Sequence, residues 1–266
     1  MTIWQGLGGM VYTGSNLSED TLAEFESVGG SWITPVLYGD DAAGPWNLAN
    51  LGGVLIPAAH RHNLSVGGWF NVTAGDPEVD ATNIAAIVKV YNLKLAILDA
   101  EAAYQKNPDV FPHLLKDVRV KLPIANLAVS TNSLNDSLIW NGRGLKPPES
   151  ARRLGYRVLP QWYNSPSYSG CWCDPVCNMA FLRDQGMKDN FFDPTYLNHR
   201  AVALSYVHGT AEVTNEEGAV LETALPRFVE AKPYGLTYGL VLYTLENTPG
   251  TNDLQLVKKY RNILYL

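Results

Sequence analysis

The sequence predicts an α/β protein, a (β/α)8 TIM barrel in a single domain that spans residues 1–266. Three observations predict this fold. Short apolar runs alternate with helix-like stretches, and there are eight such runs in 266 residues, which is the usual size of this barrel. The runs are almost continuously apolar, as are strands of a parallel sheet that is covered on both faces. No linker or low-complexity segment interrupts the alternation, so one domain is expected.

The apolar runs give the eight predicted strands. An open, doubly wound sheet would also alternate strands with helices, but it normally carries a phosphate-binding glycine turn after its first strand. Here the glycines of Gly6-Leu7-Gly8-Gly9 precede that position, so the barrel is favoured. In chain order the predicted strands are Leu7–Tyr12, Ser31–Tyr38, Leu64–Phe70, Leu93–Asp99, Ala125–Ser130, Tyr156–Tyr163, Ala201–Val207 and Leu236–Tyr243.

Residues that favour helix starts lie between these strands. Ser18 precedes two acidic residues, and Asp76 precedes a proline, both of which are typical of the first turn of a helix. Asn107-Pro108 is expected to begin a helix that runs to Lys121, and Asn215 to begin another. Strand and helix therefore alternate as a βα barrel requires.

Composition excludes several classes of partner. The chain has a formal net charge of -6 and no run of Lys and Arg, which argues against a nucleic-acid partner. No apolar run approaches the length of a membrane span, so no membrane is expected. The N-terminal residues Met1–Gln5 lack the charged and apolar regions of a signal peptide. The sequence as given is therefore expected to carry no export signal.

The three cysteines, Cys171, Cys173 and Cys177, lie within seven residues. They permit at most one internal disulfide bond, so no disulfide framework holds the fold. A three-thiolate metal site is an alternative, but the spacing matches no common zinc site. A loop with a local bridge or with free thiols is favoured, and the role of these cysteines stays open.

Two carboxylates end the predicted fourth strand. Asp99 and Glu101 are two positions apart, so in an extended chain they project to the same face. Active sites of βα barrels lie at the carboxyl ends of the strands. Glycoside hydrolysis needs an acid for the leaving oxygen and a negative group near the oxocarbenium-like transition state. We expect Glu101 to be the general acid, and Asp99 to orient a substrate group or to share a proton with Glu101.

Other polar and aromatic residues follow the ends of the predicted strands and are expected to bind substrate. Carboxylates, amides and phenols dominate the set, so neither a metal nor a cofactor is expected, and the partner expected is a polysaccharide. Glu246 could act as a second catalytic carboxylate, but its strand lies opposite the fourth, and a place in the first turn of a helix is favoured. The expected binding residues are Tyr12, Trp69, Asn71, Gln161, Asn164, Tyr243 and Glu246.

Short motifs resemble the family 18 glycoside hydrolases, the chitinase-like barrels. Leu64–Trp69 looks like the S-x-G-G strand of that family, and Asp99-Ala100-Glu101 matches the end of its D-x-D-x-E run. Gln161-Trp162-Tyr163-Asn164 is similar to the sixth-strand ending of its plant-type members, which adds Trp162 to the expected binding residues. The resemblance implies that Glu101 is the acid, and that Asp99 and Tyr163 hold the substrate N-acetyl group while it attacks the anomeric carbon.

The sequence also departs from that family. Ile97 and Lys94 stand where the extended acidic run would continue, and Tyr243 replaces the usual tryptophan floor. The lysozyme-like family 25 barrels also use D-x-E, but the first strand here ends in Gly9-Met10-Val11-Tyr12, without their aspartate. Both families act on amino-sugar polymers, peptidoglycan or chitin, and both occur in phage proteins. The resemblance therefore implies a phage origin, with virion or tail assembly proteins as further partners. It also implies a protein that is virion-associated or cytoplasmic until release and that acts extracellularly.

The alternative is a non-catalytic barrel that binds a glycan or has a structural role, for example in a phage tail. The missing carboxylates at Ile97 and Lys94 favour this interpretation, because a barrel can lose activity and keep its fold. The sequence leaves open the polymer, the linkage, the stereochemical outcome and the oligomeric state.

Overall fold

The computed structural model describes most of the chain up to residue 160 and shorter segments after it. The described residues are 7–11, 17–38, 48–72, 75–99, 104, 107, 109–123, 126–131, 150–151, 153–160, 225–226, 229–230, 240–243, 245 and 253–264. Their strands are β1 (Leu7–Val11), β2 (Gly30–Tyr38), β3 (Ser65–Val66), β4 (Gly68–Asn71), β5 (Leu95–Asp99), β6 (Asn126–Thr131), β7 (Arg157–Pro160) and β8 (Leu240–Tyr243). Their helices are α1 (Glu19–Ser27), α2 (Leu48–Asn50), a π-helical turn (Leu51–Leu55), α3 (Ile56–Arg61), α4 (Pro77–Val90), α5 (Phe111–Lys121) and α6 (Asp253–Leu264).

These strands form a parallel sheet, as the sequence predicts. The strand order is β7-β6-β5-β4-β2-β1-β8, and β3 also pairs with β2. The predicted third strand consists of β3 and β4, which are separated at Gly67. The predicted seventh strand, Ala201–Val207, lies outside the described residues. Because the pairs are parallel, the carboxyl ends of neighbouring strands lie at one edge of the sheet.

The two faces of the sheet are identified by adjacent glycines of β1. A Cβ atom on Gly9 would meet the ring of Phe25 from α1, so this face packs against helices. A Cβ atom on Gly8 would lie 2.2 Å from the indole of Trp32, on the opposite face. We call this second face the inner face. Trp32 is fully buried on it, so bulky side chains fill the space that the sheet encloses.

The predicted starts of α1 and α4 are confirmed. The Ser18 hydroxyl accepts a hydrogen bond of 3.1 Å from the backbone N–H of Thr21. The Asp76 carboxylate accepts bonds of 3.0 and 3.2 Å from the N–H groups of Glu78 and Val79. Such side-chain acceptors satisfy N–H groups that have no partner within the helix. Both acceptors are residues that the sequence predicts at these helix starts.

The predicted start of α5 at Asn107-Pro108 is wrong. The helix begins at Phe111, and its cap, Val110, has no side chain that can accept a hydrogen bond. The Asn107 carbonyl accepts a bond from the Val110 N–H, so Asn107 begins a turn that precedes the helix. The predicted helix start at Asn215 lies outside the described residues. Among the helices of the described part, none is long and apolar enough to cross a membrane.

Candidate active site

A direct hydrogen bond joins two of the predicted site residues. The indole Nε1–H of Trp69, in β4, donates to Oδ2 of Asp99, in β5, at 3.0 Å. Trp69 is buried, and Asp99 is partly exposed at the last position of its strand. A hydrogen bond to an ionised acceptor is stronger than a neutral one, so the indole fixes the direction of this carboxylate. Trp69 thus supports Asp99, and its contact with a sugar stays a prediction.

Polar residues of three neighbouring strands share one register level at the carboxyl edge. Asn71 of β4 is the Cα partner of Asp99, and Asp99 is the partner of Ser130 of β6. Partners in a parallel sheet project to the same face, so these side chains lie on the inner face with Trp69. The backbone N–H of Val72 also donates to the Asp99 carbonyl at 3.1 Å, which extends the pairing beyond the end of β4. The structure therefore brings Asn71, Trp69 and Asp99 together.

The two sequence departures at β5 have different surroundings. Ile97 is fully buried and shares the register level of Trp69, directly below Asp99 on the inner face. Lys94 precedes β5, is exposed, and donates from Nζ to Oδ1 of Asn92 at 3.3 Å. Lys94 therefore lies at the opposite edge of the sheet from Asp99. Of these two positions, Ile97 is the one at which a carboxylate would reach the inner face of the site.

Of the remaining predicted site residues, Tyr243 is the one that lies in a strand of the described part. Tyr243 ends β8, and its Cα atom pairs with Met10 of β1. The others lie outside the described residues, so their roles stay predictions; they are Glu101, Tyr163, Tyr12, Gln161, Trp162, Asn164 and Glu246. Cys171, Cys173 and Cys177 also lie outside them.

Two hydroxyl groups on the inner face are not predicted from the sequence. Ser130 is fully buried beside Asp99 in register, whereas the predicted strand placed it only as a terminal residue. Alternation along β6 alone does not show which of Ser130 and Thr131 faces inward. Aligning the ends of the predicted fourth and fifth strands, Asp99 and Ser130, would place Ser130 beside Asp99. Thr34 of β2 is also fully buried, and its hydroxyl has no hydrogen-bond partner in the described part of the chain. Both add polarity to a mostly apolar interior.

Two buried ionisable side chains were also missed. Asp80 of α4 is fully buried, and its Oδ2 accepts a hydrogen bond of 2.5 Å from the hydroxyl of Tyr104, which is also fully buried. Arg157 of β7 is 9% exposed, and burial lowers its pKa to about 10. Its register partner is Ala128, at the level of Ile97 and Trp69. The barrel interior below Asp99 thus contains a cation as well as apolar side chains.

The described groups suit orientation of a polar substrate. Asp99 is a hydrogen-bond acceptor of fixed direction, and Asn71, beside it in register, carries a donor and an acceptor. Within the described segments, no group of three or more His, Cys, Asp and Glu side chains is arranged to hold a metal ion. The arrangement provides two neighbouring polar groups at the mouth of the sheet, where barrel enzymes bind their substrates.

Solved structures share this fold over nearly the whole chain. A family 18 (GH18) chitinase from Pseudoalteromonas aurantia is 12% identical, with a TM-score of 0.64 over 97% of this chain and 100% of its own. The spore cortex-lytic enzyme SleL of Bacillus cereus is 10% identical, with a TM-score of 0.55 over 95% of this chain and 74% of its own. A phospho-2-dehydro-3-deoxyheptonate aldolase of Thermotoga maritima is 12% identical, with a TM-score of 0.56 over 97% and 68%. The aldolase is a different class of enzyme, so this likeness establishes the fold and not the reaction.

No family model matches the chain. The mitochondrial 15S rRNA processing factor CCM1 of Eremothecium gossypii is 26% identical over 99 residues, which are 36% of this chain and only 11% of that protein. This share is too small to bear on function. The comparisons named above give no support to a phage origin, to virion or tail partners or to the lysozyme-like alternative. The chain has the (β/α)8 barrel fold that the family 18 chitinases share, as the sequence predicts.

Proposed function

We propose that the protein is a glycoside hydrolase that acts on an amino-sugar polymer, either chitin or peptidoglycan. The observation that carries the proposal is the hydrogen bond between Trp69 and Asp99. It fixes a carboxylate at the carboxyl edge of a barrel whose fold is that of chitinases. The chitinase neighbours favour chitin, and the neighbour named as a spore cortex-lytic enzyme makes peptidoglycan the second substrate to test.

In this proposal Glu101 protonates the glycosidic oxygen as the leaving group departs. Asp99 orients the N-acetyl group of the sugar, whose carbonyl oxygen attacks the anomeric carbon, and Tyr163 donates a hydrogen bond to that group. No protein nucleophile is needed for this route. The fixed direction of Asp99 supports it, because a group that only orients a reactant must itself be held in place. Action outside the cell belongs to the same proposal, since the polymer is found there.

The competing function is a barrel that binds the glycan without cleaving it. The buried, apolar Ile97 favours this alternative, because the carboxylate that the chitinase-like run would place there is missing next to Asp99. Binding and hydrolysis differ in whether Glu101 is required for product release. The same variant can therefore separate the two functions.

The test measures release of reducing ends from chitin and from peptidoglycan by the wild type and by Glu101→Gln. The proposal expects release by the wild type and a loss of at least about a hundredfold in the variant, as for removal of a general acid. Glu24→Gln is the matched control, since Glu24 lies on the outer helix α1 and bonds the Gln255 side chain. Binding of both polymers by both variants with no release would establish the binding module instead.

A further inference from the structure

A buried hydrogen bond joins Asp80 of α4 to Tyr104, which follows β5 in the chain. Both side chains are fully buried, and the Tyr104 ring also contacts Phe111 of α5 edge-on, with ring centroids 6.1 Å apart. Oδ1 of Asp80 is buried and has no hydrogen-bond partner among the described residues. A buried carboxylate with one unsatisfied oxygen reduces stability compared with a packed apolar residue. Packing alone therefore does not account for Asp80.

The position of Tyr104 in the chain provides an explanation. Tyr104 follows Glu101 by three residues, and Asp99 precedes Glu101 by two. Asp99 is held by Trp69 through its side chain and by Val72 through its carbonyl. Tyr104 is held by Asp80, from a different element. Residues 100–103, which include Glu101, therefore connect two points that are each fixed by hydrogen bonds.

We propose that Asp80 and Tyr104 are positioning residues that fix the segment carrying Glu101. The inference rests on the proposed function, in which Glu101 is the general acid. A tether at both ends limits the movement of a four-residue segment, and a general acid must lie within hydrogen-bond reach of the leaving oxygen. A displacement of about 1 Å at such a group lowers the rate by about a hundredfold. The hydrogen bond between Asp80 and Tyr104 fixes the position of Tyr104 in a way that two apolar side chains would not.

The first test compares Tyr104→Phe with a chemically matched control. Tyr156 is also fully buried, and its hydroxyl donates to the Leu115 carbonyl at 2.7 Å, between α5 and the segment before β7. Tyr156→Phe removes the same atom from an equally buried ring. We expect kcat to fall by about tenfold to a hundredfold in Tyr104→Phe, with KM nearly unchanged. We expect kcat to stay within about twofold of the wild type in Tyr156→Phe, although both variants lose some stability.

The second test separates positioning from stability. The double variant Asp80→Leu, Tyr104→Phe removes both polar partners, so no buried carboxylate is left unpaired and the fold is expected to stay stable. Amide hydrogen exchange is then measured on peptides that cover residues 99–110. We expect faster exchange there in the double variant than in the wild type, and unchanged exchange in β1 and β2. The same variant should show the lowered kcat.

Each outcome decides the inference. Unchanged exchange in residues 99–110 shows that the pair anchors nothing and overturns it. Faster exchange with an unchanged kcat shows that the anchored segment does not position the acid, and overturns it as well. A wild type that releases no reducing ends from either polymer contradicts the proposed function, and hydrogen exchange alone then decides whether the pair anchors the segment.

Discussion

The indole N–H of Trp69 lies 3.0 Å from Oδ2 of Asp99, one strand away at the carboxyl edge of the sheet. The two residues do not share a register level, since Trp69 pairs with Ile97. The long tryptophan side chain therefore reaches up from the level below to the carboxylate. In this way a buried aromatic residue fixes the direction of a partly exposed acid. Because Trp69 is packed in the barrel interior, the Asp99 side chain is held rigidly as well.

Replacing Trp69 with Phe should weaken activity more than binding. The variant keeps an aromatic ring and removes the N–H that orients Asp99. A hydrogen bond to a charged group is worth about 1.5–3 kcal/mol, so kcat should fall by at least about tenfold. Steady-state kinetics on a soluble oligosaccharide of the polymer that the wild type cleaves would measure the fall in kcat. Trp32→Phe is the control, because Trp32 is also an indole on the inner face but packs on Gly8. An equal loss of kcat in both variants would contradict the role of Trp69.

Replacing Asp76 with Ala should destabilise the fold without changing the chemistry of the site. The Asp76 carboxylate accepts two backbone hydrogen bonds at the first turn of α4. Loss of such a cap lowers the free energy of unfolding by about 1 kcal/mol. Urea denaturation would measure it. Asp76→Asn retains an acceptor and should lose less, so equal losses in the two variants would argue against the cap.

Much of the fold could be predicted because its signals are local. Asp76 and Ser18 each precede a helix and cap it directly, and the apolar runs coincide with the strands of the described sheet. Val110 could not be predicted as a cap, since its side chain makes no capping bond. The helix start there is decided by packing, because Phe111 is fully buried and contacts Tyr104.

The site could be predicted only in part. The sequence shows by alternation that Trp69 shares a face of β4 with Asn71, and that Ile97 shares a face of β5 with Asp99. It does not show that the indole reaches the carboxylate, because that depends on the register between the strands. Asp80 and Tyr104 could not be found, because their contact joins residues 24 positions apart on different elements and has no sequence period.

The contact between α1 and α3 predicts a pH dependence of stability. Glu19 bonds the side chains of Arg61 and His62, and these hydrogen bonds lower the pKa of Glu19 below its ordinary 4.5. A lowered acidic pKa means that the stabilisation is present above pH 4.5 and is lost as the pH falls through the folded-state value. Glu19→Gln should therefore be less stable than the wild type at pH 6, and the difference should vanish in acid.

Thermal unfolding of both proteins between pH 3 and pH 7 would test this dependence. Because Glu19 is exposed, added salt should also reduce the difference at pH 6. Glu24→Gln is the control on the same helix, since Glu24 bonds the neutral Gln255 side chain. A stability difference for Glu19→Gln that stays constant across the pH range would contradict the assigned ion pairs.

Two glycine substitutions should have opposite effects. A Cβ atom at Gly8 would lie 2.2 Å from the Trp32 ring, so Gly8→Ala should overpack the interior and lower the free energy of unfolding by about 1–3 kcal/mol. Gly53 lies in the π-helical turn, and no atom lies within 4 Å of a Cβ atom placed there. Gly53→Ala should therefore raise the free energy of unfolding by about 0.5–1 kcal/mol. Denaturation by urea would measure both, and a tolerated Gly8→Ala would contradict the close approach of the indole.

The buried cation of β7 predicts an unusual response to mutation. Arg157 is 9% exposed, and burial lowers its pKa to about 10 because it disfavours the charged form. The charge therefore reduces stability fully below pH 10, and this loss of stability lessens as the pH rises above 10. Arg157→Met retains an apolar stem without the charge. Its free energy of unfolding at pH 7 should equal or exceed that of the wild type by up to about 2 kcal/mol.

Arg119 supplies the contrast, because its guanidinium bonds the carbonyls of Leu154 and Gly155 and lies over the ring of Tyr156. Arg119→Met breaks these contacts and should lower stability, whereas Arg157→Met should not. A destabilised Arg157→Met would show that the interior guanidinium is paired in solution. A stable variant that no longer binds chitin or peptidoglycan would instead place Arg157 in contact with the glycan, two strands away from Asp99 at the register level of Ile97 and Trp69.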